Sequence, residues 1–74
     1  MKNLIGGKVR EARRKCNPKI SQIDLIARLA IRGIYMDSTS ISKIESFRRP
    51  VSDIELVAIA DALNVNILWL LGRK

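Results

Sequence analysis

Seventy-four residues hold one domain with one small core and leave no room for a separate catalytic or effector domain. A composition that is 47% hydrophobic with a single Trp, Tyr and Phe suits an all-α bundle cored by Leu, Ile, Val and Ala, and disfavours a β-sandwich. The net charge is +7, from 14 basic and 7 acidic residues; with no histidine and one cysteine, Cys16, the chain lacks the side chains for a metal-ligand cluster, an internal disulfide or a histidine-based catalytic site.

The first segment carries most of that charge. Residues 1–19 hold Lys2, Lys8, Arg10, Arg13, Arg14, Lys15 and Lys19 against Glu11, so +6 of the +7 lies there, whereas residues 51–74 sum to −1. One end of the molecule is thereby marked for a polyanion, either nucleic acid or anionic lipid. A first helix is expected from Asn3 to Cys16 with Leu4, Ile5, Val9 and Ala12 inward, ending before Asn17-Pro18, where the proline disfavours helix at its predecessor. Gly6-Gly7 either weakens its start or lets another backbone come close. Lys8, Arg10, Arg14 and Lys15 spread around this helix, so one or two of them face any single duplex; Arg14 is taken as a backbone contact. Cys16 reads as a structural thiol.

The second helix has its N-cap at Ser21, a reciprocal acid at Asp24 and a hydrophobic staple between Ile20 and Leu25. It is expected to run to about Arg32, with Gly33 as its left-handed stop. The third takes Asp37 as N-cap, staples Met36 to Ile41, and turns Ile41 and Ile44 inward. The fourth repeats the capping box with Ser52 and Glu55, staples Val51 to Leu56 and reaches about Leu63. A short fifth helix is capped by Asn66, stapled by Val65 and Leu70 and stopped by Gly72. The longest apolar stretch, Ile67 to Leu71, is too short to span a bilayer, and no signal peptide is visible, so a cytoplasmic protein is expected.

Function is written in the third helix, whose first turn, Ser38-Thr39-Ser40, is small and hydroxyl-rich inside a basic chain. Reading bases with a helix requires the major groove, which is wide enough to admit one. In a helix-turn-helix the second helix offers its N-terminal residues to base edges while the first anchors to phosphate. Ser38 and Thr39 fill the first two helical positions, and Ser42 and Lys43 lie one turn on; these four form the expected base-reading set. Lys43 can donate to guanine O6 and N7, whereas the hydroxyls discriminate more weakly.

Ser21-Gln22-Ile23-Asp24-Leu25, Ile41-Ser42-Lys43-Ile44-Glu45, Arg48-Arg49-Pro50, Ile59 to Val65 and Trp69-Leu70-Leu71, taken in order, resemble the phage-repressor and Cro-like helix-turn-helix proteins, the XRE family. The resemblance covers nearly the whole chain. It implies a compact five-helix lambda-repressor-like bundle whose second and third helices form the helix-turn-helix. It also implies that Gln22, with Ser21 beside it at the helix start, clamps a DNA phosphate, and that Arg48 and Arg49 touch backbone or minor groove. Arg13 and Glu45 are implied to be a structural ion pair. Three departures stand out: the turn is enlarged around residues 32–36, Ile26 stands where the family keeps alanine, and Phe47 replaces the glycine after the recognition helix.

The expected function is sequence-specific binding of double-stranded DNA by a transcriptional regulator, a repressor acting as a homodimer on a two-fold operator. No cofactor, metal or small-molecule substrate is implied, and the residues available argue against an enzyme. Trp69, Leu70 and Leu71 are expected mostly in the core, with a share of them in a two-fold interface as the alternative, for which Phe47, Trp69 and Leu70 are the candidates. Tyr35 is expected as a packed turn aromatic, with a contact to the DNA backbone as its alternative. The competing reading keeps the fold but makes it a protein-interaction module, an adaptor or antitoxin-type subunit. Membrane binding ranks last, because the basic first helix has no aromatic anchor.

Overall fold

The first N–H groups of a helix have no partner within it, and nearly every helix of this protein begins where a side chain supplies one. A computed structural model describes residues 1–73, and the structure among these residues is five helices with no strand. Helix α2 spans Gln22–Ile31 and α4 spans Asp53–Leu63; each opens on a complete capping box, Ser21 with Asp24 and Ser52 with Glu55. Helix α3, Ser38–Glu45, is capped by Asp37, whose carboxylate accepts from the Ser40 N–H at 2.8 Å. The short α5, Ile67–Leu70, starts at Asn66, which accepts from the N–H groups of Leu68 and Trp69.

Helix α1 spans Gly6–Lys15 and begins three residues later than its apolar periodicity predicts. Asn3 is the reason. Its Oδ1 accepts from the N–H groups of Ile5 and Gly6, while its Nδ2 donates to the carbonyls of Ile44 and Arg49. The residue expected inside the helix instead caps it and ties the N-terminal segment to the end of α3. Leu4 therefore lies outside the helix and is 61% exposed, a correction to its expected place in the core, whereas Ile5, Val9 and Ala12 are buried.

Four helices end alike. At Gly33, Phe47, Asn64 and Gly72 the backbone turns left-handed, with φ of 81°, 62°, 55° and 79°. At each, two successive N–H groups return to carbonyls of the last helical turn, as in Gly33 to Ala30 and Ile34 to Leu29. The enlarged connection between α2 and α3 thus begins as an ordinary helix stop.

The core gathers Val9, Leu25, Leu29, Ile41, Ile44, Ile59 and Leu70, all essentially inaccessible to solvent. Burying such a side chain stabilises by roughly 1.5–3 kcal/mol each, more than any surface ion pair here. Helix α4 packs against α1, α2 and α5, and α3 packs against α1 and α2. Two arginines tighten the first of these groupings: Arg28 of α2 donates to the Ala62 carbonyl at 3.0 Å and Arg32, just after α2, reaches the Asp61 carbonyl, both at the electronegative end of α4. At Gly6, a side chain would collide with the Ile44 carbonyl, so α1 and the end of α3 meet backbone to backbone. No described helix is long and apolar enough to cross a membrane.

Candidate nucleic-acid interface

The outer side of α3 follows from its burial pattern. Ile41 and Ile44 turn inward, which leaves Ser38, Thr39 and Lys43 exposed and Ser42 half-buried on the opposite side. Ser38 stands one turn before Ser42, and Thr39 one turn before Lys43. The Asp37 carboxylate, held below the usual carboxylate range by the Ser40 N–H, is committed to capping.

Beside this face an open cleft of about 470 Å³ runs between α1, the start of α2 and the end of α3. Its floor is one hydrogen-bonded network. Arg13 pairs with Glu45 through two nearly parallel bonds, Nε to Oε2 at 2.6 Å and Nη2 to Oε1 at 2.9 Å, and its Nη1 donates to the Ile20 carbonyl at 3.0 Å. The fork geometry of guanidinium on carboxylate gives such a pair direction as well as energy. Gln22 extends the network, its Nε2 lying 3.3 Å from the Ser42 hydroxyl and 3.4 Å from Glu45 Oε1. Three helices are thereby locked together around the side chain that opens α2. The Arg13–Glu45 pair implied by the resemblance is present.

The cleft wall is cationic. Arg10, Arg14 and Arg48 line it, and none has an acidic partner among the described residues, because Glu45 is already matched by Arg13. Arg48 is exposed and donates from Nε to the Ser46 hydroxyl at 2.8 Å. Of the expected contact residues, the structure brings Gln22, Ser42, Arg14 and Arg48 into this one cleft. Arg10 and Ser46 join them without having been singled out. Arg10 and Arg14 are four apart on α1, a spacing that was visible; nothing in the sequence marked Ser46.

Other candidates stand elsewhere. The Ser21 hydroxyl accepts from the Asp24 N–H, as its capping role requires, and the Ser21 N–H donates in return to the Asp24 carboxylate at 3.1 Å, which holds that carboxylate below its usual range. Arg49 turns away from Arg48 to grip Glu55 through two bonds, at 2.8 and 3.2 Å; this partner is the main cause that keeps the Glu55 carboxyl below its usual range. Lys8 stacks on Trp69, 4.7 Å from the ring centroid, and Lys15 pairs with Glu11, so neither belongs to the cleft.

The expected dimer candidates are corrected in part. Leu70 is 0% exposed and belongs to the core, Trp69 is half-buried under Lys8, and Phe47 is half-buried with its ring beside Gly7. Tyr35 also departs from its expected packing and is 82% exposed. The apolar surface lies instead where α4 meets the connection from α2 to α3. There Ile34, Ile54, Val57 and Ala58 line a groove of about 390 Å³, flanked by Arg32, Asp53 and Asp61. Compared with known proteins, the chain matches no family model, no curated protein and no solved structure, so the chemistry of these surfaces carries the functional argument alone.

Proposed function

We propose that the protein is a sequence-specific binder of double-stranded DNA, a transcriptional repressor of the lambda-repressor-like helix-turn-helix type that acts as a homodimer on a two-fold operator. In this reading α3 enters the major groove with Ser38, Thr39 and Lys43 at base edges. Gln22, Arg10, Arg14 and Arg48 hold the adjoining phosphates. The observation that carries the reading is that α3, whose first turn is exposed and hydroxyl-lined, borders through Ser42 and Ser46 a cleft with three arginines lacking acidic partners among the described residues. Duplex DNA presents that pair of demands side by side, hydrogen-bonding base edges flanked by rows of phosphate. The network beneath keeps Gln22 oriented before any ligand arrives, which reduces the ordering that binding requires.

Size supports the two-copy form. The longest extent of the Cα trace is 25 Å, shorter than the roughly 34 Å of one duplex turn, so one copy addresses one half-site. The second reading, a protein-interaction module of the same fold with only non-specific DNA affinity, is favoured by the apolar groove at Ile54 and Val57. Selection of bound duplexes from a random library at near-physiological salt separates the two. Enrichment of inverted half-sites about one helical turn apart supports the repressor reading. Retention of unselected sequences, with affinity set by salt alone, sinks it in favour of the second. Within the repressor reading, Thr39→Ala and Lys43→Ala each relax preference at particular base pairs, by roughly 1–3 kcal/mol for a good contact. Equal losses on selected and random duplexes would remove both from the reading set.

A further inference from the structure

Ser42 does not share the outlook of its neighbours on α3. Ser38, Thr39 and Lys43 are exposed, whereas Ser42 is half-buried and its hydroxyl faces the side-chain amide of Gln22, 20 residues earlier in the chain at the start of α2. The Ser42 Oγ lies 3.3 Å from Gln22 Nε2 and 3.5 Å from Gln22 Oε1, so it can accept from the amide and donate to it. A hydroxyl engaged in this way is turned from a base edge.

The Gln22 amide has a second anchor. Its Nε2 also lies 3.4 Å from Glu45 Oε1, and a carboxylate only accepts, so the nitrogen and not the oxygen of the amide must face that side. Glu45 is held in turn by Arg13, whose Nε and Nη2 donate to it at 2.6 and 2.9 Å. One anchor fixes a point and lets the amide plane rotate about it; the Ser42 hydroxyl adds the second point and fixes the plane. Both contacts of Nε2 are longer than the usual N–H to O distance of about 2.9–3.0 Å, as when one N–H is divided between two acceptors. The other N–H is then left for the cleft that Gln22 lines.

We infer that Ser42 is a positioning residue of the nucleic-acid interface: its hydroxyl sets the plane of the Gln22 amide so that the free amide N–H meets a DNA phosphate, and it reads no base. This role rests on the DNA-binding reading, and it divides α3 into readers, Ser38, Thr39 and Lys43, and a supporting residue, Ser42. Phosphates are the same in every duplex, so a contact placed by Ser42 contributes affinity without choice of sequence. The amide is neutral and displaces no counterion, unlike the arginines around it.

Duplex affinities of Ser42→Ala, Gln22→Ala and the double variant, on selected and random duplexes at several salt concentrations, test it. Ser42→Ala is expected to weaken binding to both kinds of duplex alike, by about three- to tenfold, the share of one neutral hydrogen bond, with the slope of log affinity against log salt unchanged and the helical circular dichroism retained. In the Gln22→Ala background the same substitution is expected to cost nothing further, and Ser42→Thr, which keeps the hydroxyl, to bind as wild type does. Preference lost at a particular base pair would make Ser42 a reader and overturn the inference; so would full affinity in Ser42→Ala, or losses that add in the double variant. Without DNA, the Gln22 side-chain N–H signals in nuclear magnetic resonance are expected to stand apart from those of a solvated glutamine and to return to them in Ser42→Ala. Solvated signals already in wild type overturn the inference too. A wild type that binds duplexes without preference sinks the repressor reading alone, since the phosphate contact remains measurable, whereas one that binds no duplex sinks the proposed function and this role together.

Discussion

Arg48 and Arg49 are neighbours in the chain with opposite commitments. Arg48 reaches into the cleft held only by the Ser46 hydroxyl, and Arg49 is engaged by Glu55 with most of its side chain covered. Within the DNA-binding reading, Arg48→Ala lowers the slope of log affinity against log salt by about 0.9, the share of one phosphate contact, and leaves the melting temperature nearly unchanged. Arg49→Ala leaves the slope alone and lowers stability by about 1 kcal/mol. Titrations at several salt concentrations beside thermal melts distinguish them; equal slope changes would show Arg49 released to DNA. Phe47 poses a separate question, because a bulky residue in left-handed conformation is strained by roughly 1–2 kcal/mol. Its ring lies against α1 beside Gly7, which offsets some of that. Comparing Phe47→Ala with Phe47→Gly isolates the backbone term, since both lose the ring and only glycine relieves the strain. Phe47→Gly is expected to be the more stable by about 1 kcal/mol in denaturant unfolding, and equal stabilities would show that the turn relaxes once the ring is gone.

Among the elements, the packing of α1 on the end of α3 depends on what Gly6 lacks. A methyl group there meets the Ile44 carbonyl, a backbone atom that cannot swing aside, so the two helices must move apart. The same displacement would stretch the bonds from Asn3 to Ile44 and Arg49 and the Arg13–Glu45 pair. Gly6→Ala is therefore expected to destabilise by about 1–3 kcal/mol despite alanine's better helix propensity, whereas Gly7→Ala, which meets only the tip of the Phe47 ring at 3.4 Å, is expected near neutral. Urea unfolding of the two variants side by side decides it, and an unharmed Gly6→Ala would refute the close approach.

For the molecule as a whole, the pH dependence of stability follows from its caps. Bonds to Ser21, to Ser40 and to Arg49 hold the carboxyls of Asp24, Asp37 and Glu55, respectively, below their ordinary values. A carboxyl depressed in the folded state binds its proton more readily when unfolded, so its stabilisation is present above the unfolded value, about 4, and is lost as pH falls through the folded one. The chain has no histidine, so melting temperature is expected to be level from about pH 7.5 to about 5 and to fall steadily below about 4. A decline beginning near pH 6 would contradict this origin.

The helix starts and stops were legible in the sequence because the interactions that set them span only a few residues. Ser21 with Asp24, Ser52 with Glu55, Asp37 before Ser38 and Gly33 after α2 each close a hydrogen bond within one turn, and all appear where the pattern put them. The exposed first turn of α3 was legible for the same reason, since Ile41 and Ile44 set its inner face by spacing alone. What only the tertiary structure decided were the fates of side chains whose partners lie far away in the chain. Asn3 left the first helix for carbonyls 41 and 46 residues on, Leu70 entered the core, Tyr35 and Leu4 were left outside, and Arg49 parted from Arg48. A local pattern records which bonds a segment can make with itself; which distant group competes for a side chain is determined when helices pack and exclude water between them.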